Sequence, residues 1–170
     1  AFVTELSINI ADDERLMDMM VDAGFSSVFV GIESPNKASL EECNKTQNTH
    51  YDLIDSIKKI QAKGIQVLGG FIVGFDNDTS SIFQEMIEFI QNSGVVTAMV
   101  GLLQAPSKTP LWERLKKENR IRGDMTGDNA DGSTNVVTKM DLNELIAGYK
   151  KILHEIYSPK SYYTRVKTLL

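Results

Sequence analysis

Glu33 ends an apolar run in Gly31-Ile32-Glu33-Ser34-Pro35, where a carboxylate can accept two hydrogen bonds from a vicinal diol such as a ribose. The same position also suits a carboxylate that pairs with a nearby lysine or caps a helix. A second apolar run carries Gly69, Gly70 and Gly74, and positions without a Cβ let a planar ligand approach the backbone. Glycines in a strand equally mark a bulge or tight packing. Asp76-Asn77-Asp78-Thr79 follows that run and precedes a helical pattern. Helix capping by Asp78 or Thr79 therefore competes with ligand contact, which weighs more for Asp76 and Asn77 because they come earlier in the loop.

The remaining reactive types offer less. Cys43 has neither a local histidine nor a second cysteine to activate it and reads as a half-buried structural thiol. His50 and His154 lie far apart without metal-ligand spacing. Asp124, Asp128 and Asp131, with Asn129, do not follow the ligand order of a calcium loop and lack its later glutamate, so this stretch reads as a solvated loop.

The elements that must position these residues repeat one pattern: a capped amphipathic helix, a glycine stop, and an apolar strand. Asp12-Asp13 caps a helix with Leu16, Met17, Met20 and Ala23 on one face, Gly24 ends it, and Ser27–Glu33 is the strand. Thr49 caps Leu53, Ile54, Ile57 and Ile60, Gly64 ends that helix, and Gln66–Gly74 follows. Ser81 and Gln84 have capping-box spacing before Met86, Ile87 and Ile90, and after Gly94 comes Val95–Leu103. With Val3–Asn9 as a first strand, the expected fold class is α/β, a parallel sheet of βα units covered by helices on at least one face. Further helices are expected from Pro110, from Asp141 through Ile156, and after Ser158-Pro159 through Tyr162, Tyr163, Val166 and Leu169. Ligands of such sheets bind at the carboxyl ends of the strands. That rule selects Ser7 and Asn9, Glu33 and Ser34, Gly74 to Asp78, and Gln104 with Ala105.

Composition bounds the function. The chain has 170 residues, with 18 Lys and Arg against 23 Asp and Glu, a net charge of −5 that argues against nucleic acid held through its phosphates. Val95 to Leu103, a stretch free of charge and strong polarity, is far short of the roughly 20 residues of a membrane span. One cysteine excludes an internal disulfide and any iron–sulfur cluster or zinc site built from several thiolates of this chain, and a reducing, cytoplasmic setting is expected.

Gly31-Ile32-Glu33-Ser34-Pro35, Gly70-Phe71-Ile72-Val73-Gly74-Phe75-Asp76-Asn77-Asp78, and Val100-Gly101-Leu102-Leu103-Gln104-Ala105 with Thr109-Pro110-Leu111, in that order, resemble the radical S-adenosylmethionine (SAM) superfamily. The likeness is nearest to its branch with a cobalamin-binding domain and covers almost the whole chain. It implies the C-terminal part of a partial TIM-like barrel over residues 1–121, a long loop over 122–140 and a helical extension over 141–170. By the same resemblance Glu33 meets the SAM ribose, Gly70, Ile72 and Gly74 pack beside the adenine, and Leu103, Gln104 and Ala105 contact the adenine mostly through backbone atoms. Asn77 stands where many members carry Glu. The family's Cys-x3-Cys-x2-Cys triad, which holds a four-iron four-sulfur cluster, has no counterpart, and Cys43 cannot replace it. The resemblance thus implies a fragment, inactive alone, whose cluster and any cobalamin belong to a missing N-terminal part of a parent enzyme acting on a small molecule. The competing expectation is a free-standing βα nucleotide-binding or interaction domain. Either way, a half barrel leaves two strand edges and an apolar face, so a homodimer or a tail folded over the sheet is expected.

Overall fold

The computed structural model describes residues 1–128 and 130–169; Asn129, one of the turn residues of the long loop, and Leu170 lie outside the described residues. Strands β1 (Phe2–Leu6), β2 (Phe25–Glu33), β3 (Gln66–Val73) and β4 (Thr97–Leu102) form one sheet in that order, every pair parallel. Parallel order requires a crossover between successive strands. Helices α1 (Glu14–Asp22), α4 (Leu53–Ala62) and α5 (Ile82–Ser93) supply them, with short α2 (Lys37–Glu42) and α3 (Thr46–Thr49) after β2. Helices α6 (Pro110–Lys117), α7 (Leu142–Ile156) and α8 (Pro159–Leu169) complete the chain.

The sheet is covered on one face. Val28, Val30 and Ile32 of β2 and Val67, Phe71 and Val73 of β3 are buried against the helices, while their neighbours Phe29, Gly31, Leu68, Gly70 and Ile72 point the other way and are only half-buried. On that open face Val3 is 63% and Met99 47% exposed.

Several boundaries differ from expectation, each for a local reason. The first strand stops at Leu6, and Ile8–Asp12 winds into a 3-10 turn that buries Ile8 and Ala11 against α4; Asn9 sits in this turn rather than in a strand. Leu16 is 42% exposed, so α1 turns Met17 and Met20 inward without it. Asp52, not Thr49, caps α4, accepting the Asp55 N–H at 3.0 Å, because Thr49 belongs to α3. The expected capping box at α5 does not form: Ser81 already has helical backbone angles, and Gln84 donates instead to Glu88 at 2.9 Å. Asp78 does not cap either. Its buried carboxylate accepts from the N–H groups of Gly74 and Phe75 at 2.8 and 3.1 Å and from the Ser39 hydroxyl at 2.7 Å, folding the loop after β3 upon itself.

Helix α7 lies on α5 and β4, so close that Gly148 faces the Phe83 ring. In α8, fully buried Arg165 donates to Gln91 Oε1 at 2.6 Å and to the Val96 carbonyl at 3.3 Å. The tail therefore docks on the helix layer and leaves the open face of the sheet uncovered. The 122–140 loop is anchored at its second half: Arg122 N–H donates to the Asn135 carbonyl at 2.7 Å, and Asn135 and Val136 are buried.

Candidate functional site

A cavity of about 390 Å³ opens on the uncovered face at the carboxyl ends of β2, β3 and β4. Its floor follows from strand register. Gly31 pairs with Gly70, Gly70 with Met99, and Ile72 with Gly101, so two neighbouring floor positions lack any side chain. A Cβ built on Gly70 would stand 2.8 Å from the Phe29 ring, and one on Gly31 would stand 2.7 Å from Glu33 Oε1. Glycine at these two positions thus makes room for the Phe29 ring and for the Glu33 carboxylate.

Glu33 reaches over this floor from a bulge. The β2–β3 register shifts between Gly31 and Glu33, and Glu33 takes φ 69°, a left-handed backbone that costs a non-glycine residue free energy. Lys45, between α2 and α3, places its Nζ 3.1 Å from Glu33 Oε1; the carboxylate is 16% exposed and the lysine 35%. The lysine pairing allowed for by the sequence is therefore present, and both partners line the cavity.

Gln104, just beyond β4, lines the same cavity and donates through Nε2 to the Asp128 carbonyl at 2.9 Å. Its Oε1 is shielded from solvent and has no hydrogen-bond partner among the described residues. Cys43 is also on the wall; burial pushes its thiol above the ordinary value, so it rests protonated.

Of the residues selected from sequence, Glu33, Gly70, Ile72, Leu103 and Gln104 converge on the cavity. The others have different neighbours. Ser34 is buried, its hydroxyl accepting from the Asn36 N–H at 3.2 Å. Gly74, at φ 106°, faces Leu145 and Thr138 behind the sheet. Ala105 is bonded through both its N–H and its carbonyl to the Asn135 amide. Ser7 and Asn9 are exposed at the turn after β1.

Asp76 is engaged by cations. Arg120 forks onto it, Arg114 Nη1 lies at 2.9 Å and Lys139 Nζ at 3.6 Å, while Arg114 Nη2 also reaches Glu42 at 2.7 Å. These contacts, Arg120 foremost, hold the Asp76 carboxyl at about 2. Sequence reasoning missed Lys45, Phe29, Met99, Leu111 and Met125 as cavity residues. The alternation Phe29-Gly31-Glu33 along one face of β2 was the signal for Phe29; no local pattern ties Lys45, Leu111 or Met125 to a strand end.

A helix-backed parallel sheet with a cavity at its carboxyl ends is the arrangement in which βα folds place their ligand sites. Residues 2–90 match the radical SAM superfamily, more than half of the chain, and residues 109–170 match a domain of unknown function, DUF4070. The chain belongs to the radical SAM superfamily. It is 38% identical over 165 residues to an uncharacterized methyltransferase of Synechocystis sp., covering 96% of this chain and 31% of that protein. It is 32% identical over 157 residues to the hopanoid C-2 methylase of Rhodopseudomonas palustris, covering 92% and 29%. It is 26% identical over 117 residues to the bacteriochlorophyllide d C-12(1)-methyltransferase of Chlorobaculum tepidum, covering 69% and 25%. The chain therefore spans about a third or less of the length of these relatives. No helix among the described residues is long and apolar enough to cross a membrane.

Proposed function

We propose that this chain is the SAM-binding side of a radical SAM methylase. The observation that carries the reading is Glu33, a carboxylate held on the cavity wall at the carboxyl ends of parallel strands, in a chain of this superfamily. SAM, when bound, supplies a transferable methyl group or, on reductive cleavage, a 5′-deoxyadenosyl radical. Glu33 would hold the ribose hydroxyls, the Phe29 ring seated over Gly70 would offer the nucleoside an apolar surface, and Ile72 and Gln104 would flank the base.

The family's four-iron four-sulfur cluster does not fit these residues. The chain has one cysteine, and no group of three or more His, Cys, Asp or Glu among the described residues is placed to hold a metal. The cluster, and cobalamin if the enzyme uses it, would be held by other parts of a longer protein. The apolar walls of the cavity, Phe29, Met99, Leu103, Leu111 and Met125, support a large apolar methyl acceptor. The names of two relatives, on hopanoids and bacteriochlorophyllides, agree with that substrate class.

The test uses the natural protein that contains this chain, reconstituted anaerobically with iron and sulfide. It should cleave or demethylate SAM, and Glu33→Ala should raise the SAM concentration needed by about 10- to 100-fold, the loss of charge-assisted hydrogen bonds. A cluster-loaded protein inert toward SAM would overturn the proposal.

A further inference from the structure

We propose that Asn48, a buried residue of α3, is a positioning residue for the ligand: it holds the strained turn that carries the Glu33 carboxylate to the cavity. The inference rests on the SAM reading above and adds to it the group on which the work of Glu33 depends.

Glu33 sits at the centre of a three-residue turn, closed by the Ser34 N–H on the Ile32 carbonyl at 3.0 Å. Its φ of 69° makes this the rare, strained hand of such a turn. The turn grows out of the bulge in β2, where Gly31 pairs with Gly70 and Glu33 with Phe71, so Ile32 is the extra residue. A glycine at position 33 would take this backbone without cost. A glutamate there is strained, and strain of this kind persists only where surrounding groups hold it.

Asn48 is 2% exposed, and its Nδ2 lies 3.2 Å from the carbonyl oxygens of both Gly31 and Ile32, the two residues before Glu33. Carbonyl oxygens only accept, so the nitrogen faces the bulge and has one hydrogen for each of them. Without Asn48 the two carbonyls lose this donor inside the protein, and the turn can relax to an ordinary backbone that carries the carboxylate elsewhere. The same short segment holds the other end of the residue. Asn48 N–H donates to the Lys45 carbonyl at 2.9 Å, and Lys45 Nζ lies 3.1 Å from Glu33 Oε1. Residues 45–48 thus grip Glu33 twice, Lys45 by its carboxylate and Asn48 by the backbone before it.

The experiment titrates adenosine and 2′,3′-dideoxyadenosine, which differ only in the two ribose hydroxyls, into the full chain by calorimetry. The wild type should prefer adenosine by about 10- to 100-fold, the worth of hydrogen bonds to a charged acceptor. Asn48→Leu, of similar size but without a donor, should bring that ratio toward one and leave the affinity for dideoxyadenosine within about twofold of wild type. A ratio kept in the variant overturns the proposal, whether both affinities stay or fall together, since a merely structural role would not single out the hydroxyls. If circular dichroism shows the variant unfolded, 15N-labelled wild type gives the second reading. Its Asn48 side-chain amide resonances should shift with adenosine and not with dideoxyadenosine, and the same response to both overturns the proposal. A wild type that binds neither nucleoside, or both alike, overturns the SAM reading itself, and with it this inference.

Discussion

Arg120 forks onto Asp76, its Nη1 2.8 Å from Oδ2 and its Nη2 on Oδ1, and so joins the loop after β3 to the residues after α6. Arg114 adds a second guanidinium and bridges to Glu42 of α2. The carboxylate is 6% exposed, so its charge is held by protein rather than water. The carboxyl falls from 3.8 to about 2, with Arg120 as the first cause. A depressed carboxyl contributes stability that is present above its unfolded value and lost as pH falls through its folded value. Between about pH 4 and pH 2 this group should remove about 2 kcal/mol of unfolding free energy. Asp76→Asn should cost about 3 kcal/mol at neutral pH and flatten that acid limb. Urea titrations across the pH range check both; an acid limb unchanged in the variant contradicts the network.

Asp78 behaves with the opposite sign. Burial pushes its carboxyl up despite three hydrogen bonds, so its contribution to stability declines as pH rises through the folded value. Its donors make it structural. Asp78→Ala, which strands the N–H groups of Gly74 and Phe75, should cost about 2 to 4 kcal/mol. A loss below half a kcal/mol in denaturant titration would mean that water replaces the carboxylate freely.

Gly148 sits in the middle of α7, where alanine would ordinarily favour a helix by about 1 kcal/mol. Its Cβ, however, would stand 2.3 Å from ring atoms of Phe83, which is 6% exposed and boxed in by the core. Overpacking should win, and Gly148→Ala should lower stability by about 1 to 3 kcal/mol. Gly148→Ala combined with Phe83→Leu should recover part of it, and a single variant more stable than the parent would sink this packing account.

The periodicity of the sequence made the sheet legible, because apolar runs ending in glycine and capped amphipathic helices repeat in order. Cap identity was not, since Asp52 and Thr49 offer equivalent chemistry and only the short α3 decides between them. At the site, strand-end position brought Glu33 and Gln104 to one cavity. It gave no sign that Asp76 meets Arg114, Arg120 and Lys139, which come from 38, 44 and 63 positions later in the chain. Long-range ion pairing leaves no local pattern, and neither does the docking of Asn135 on Ala105.

The edge strand β1 exposes Phe2 at 59% and Val3 at 63%, beside an uncovered sheet face. Exposed apolar edges pair with other chains. We expect a homodimer or larger assembly of the 18.9 kDa chain, dissociating on dilution, and Val3→Lys should shift it toward monomer. Light scattering across a concentration series reads this directly. A mass of one chain at every concentration would refute the expectation.

The central claim is that the cavity at the carboxyl ends of β2, β3 and β4 takes SAM through Glu33. Calorimetric titration of S-adenosylhomocysteine into the full chain, wild type beside Glu33→Ala, tests it most directly. The account predicts saturable binding that Glu33→Ala weakens by about 1 to 3 kcal/mol, while the fold is retained. Equal affinity in the two proteins would contradict it and leave Glu33 as the ion-pair partner of Lys45 alone.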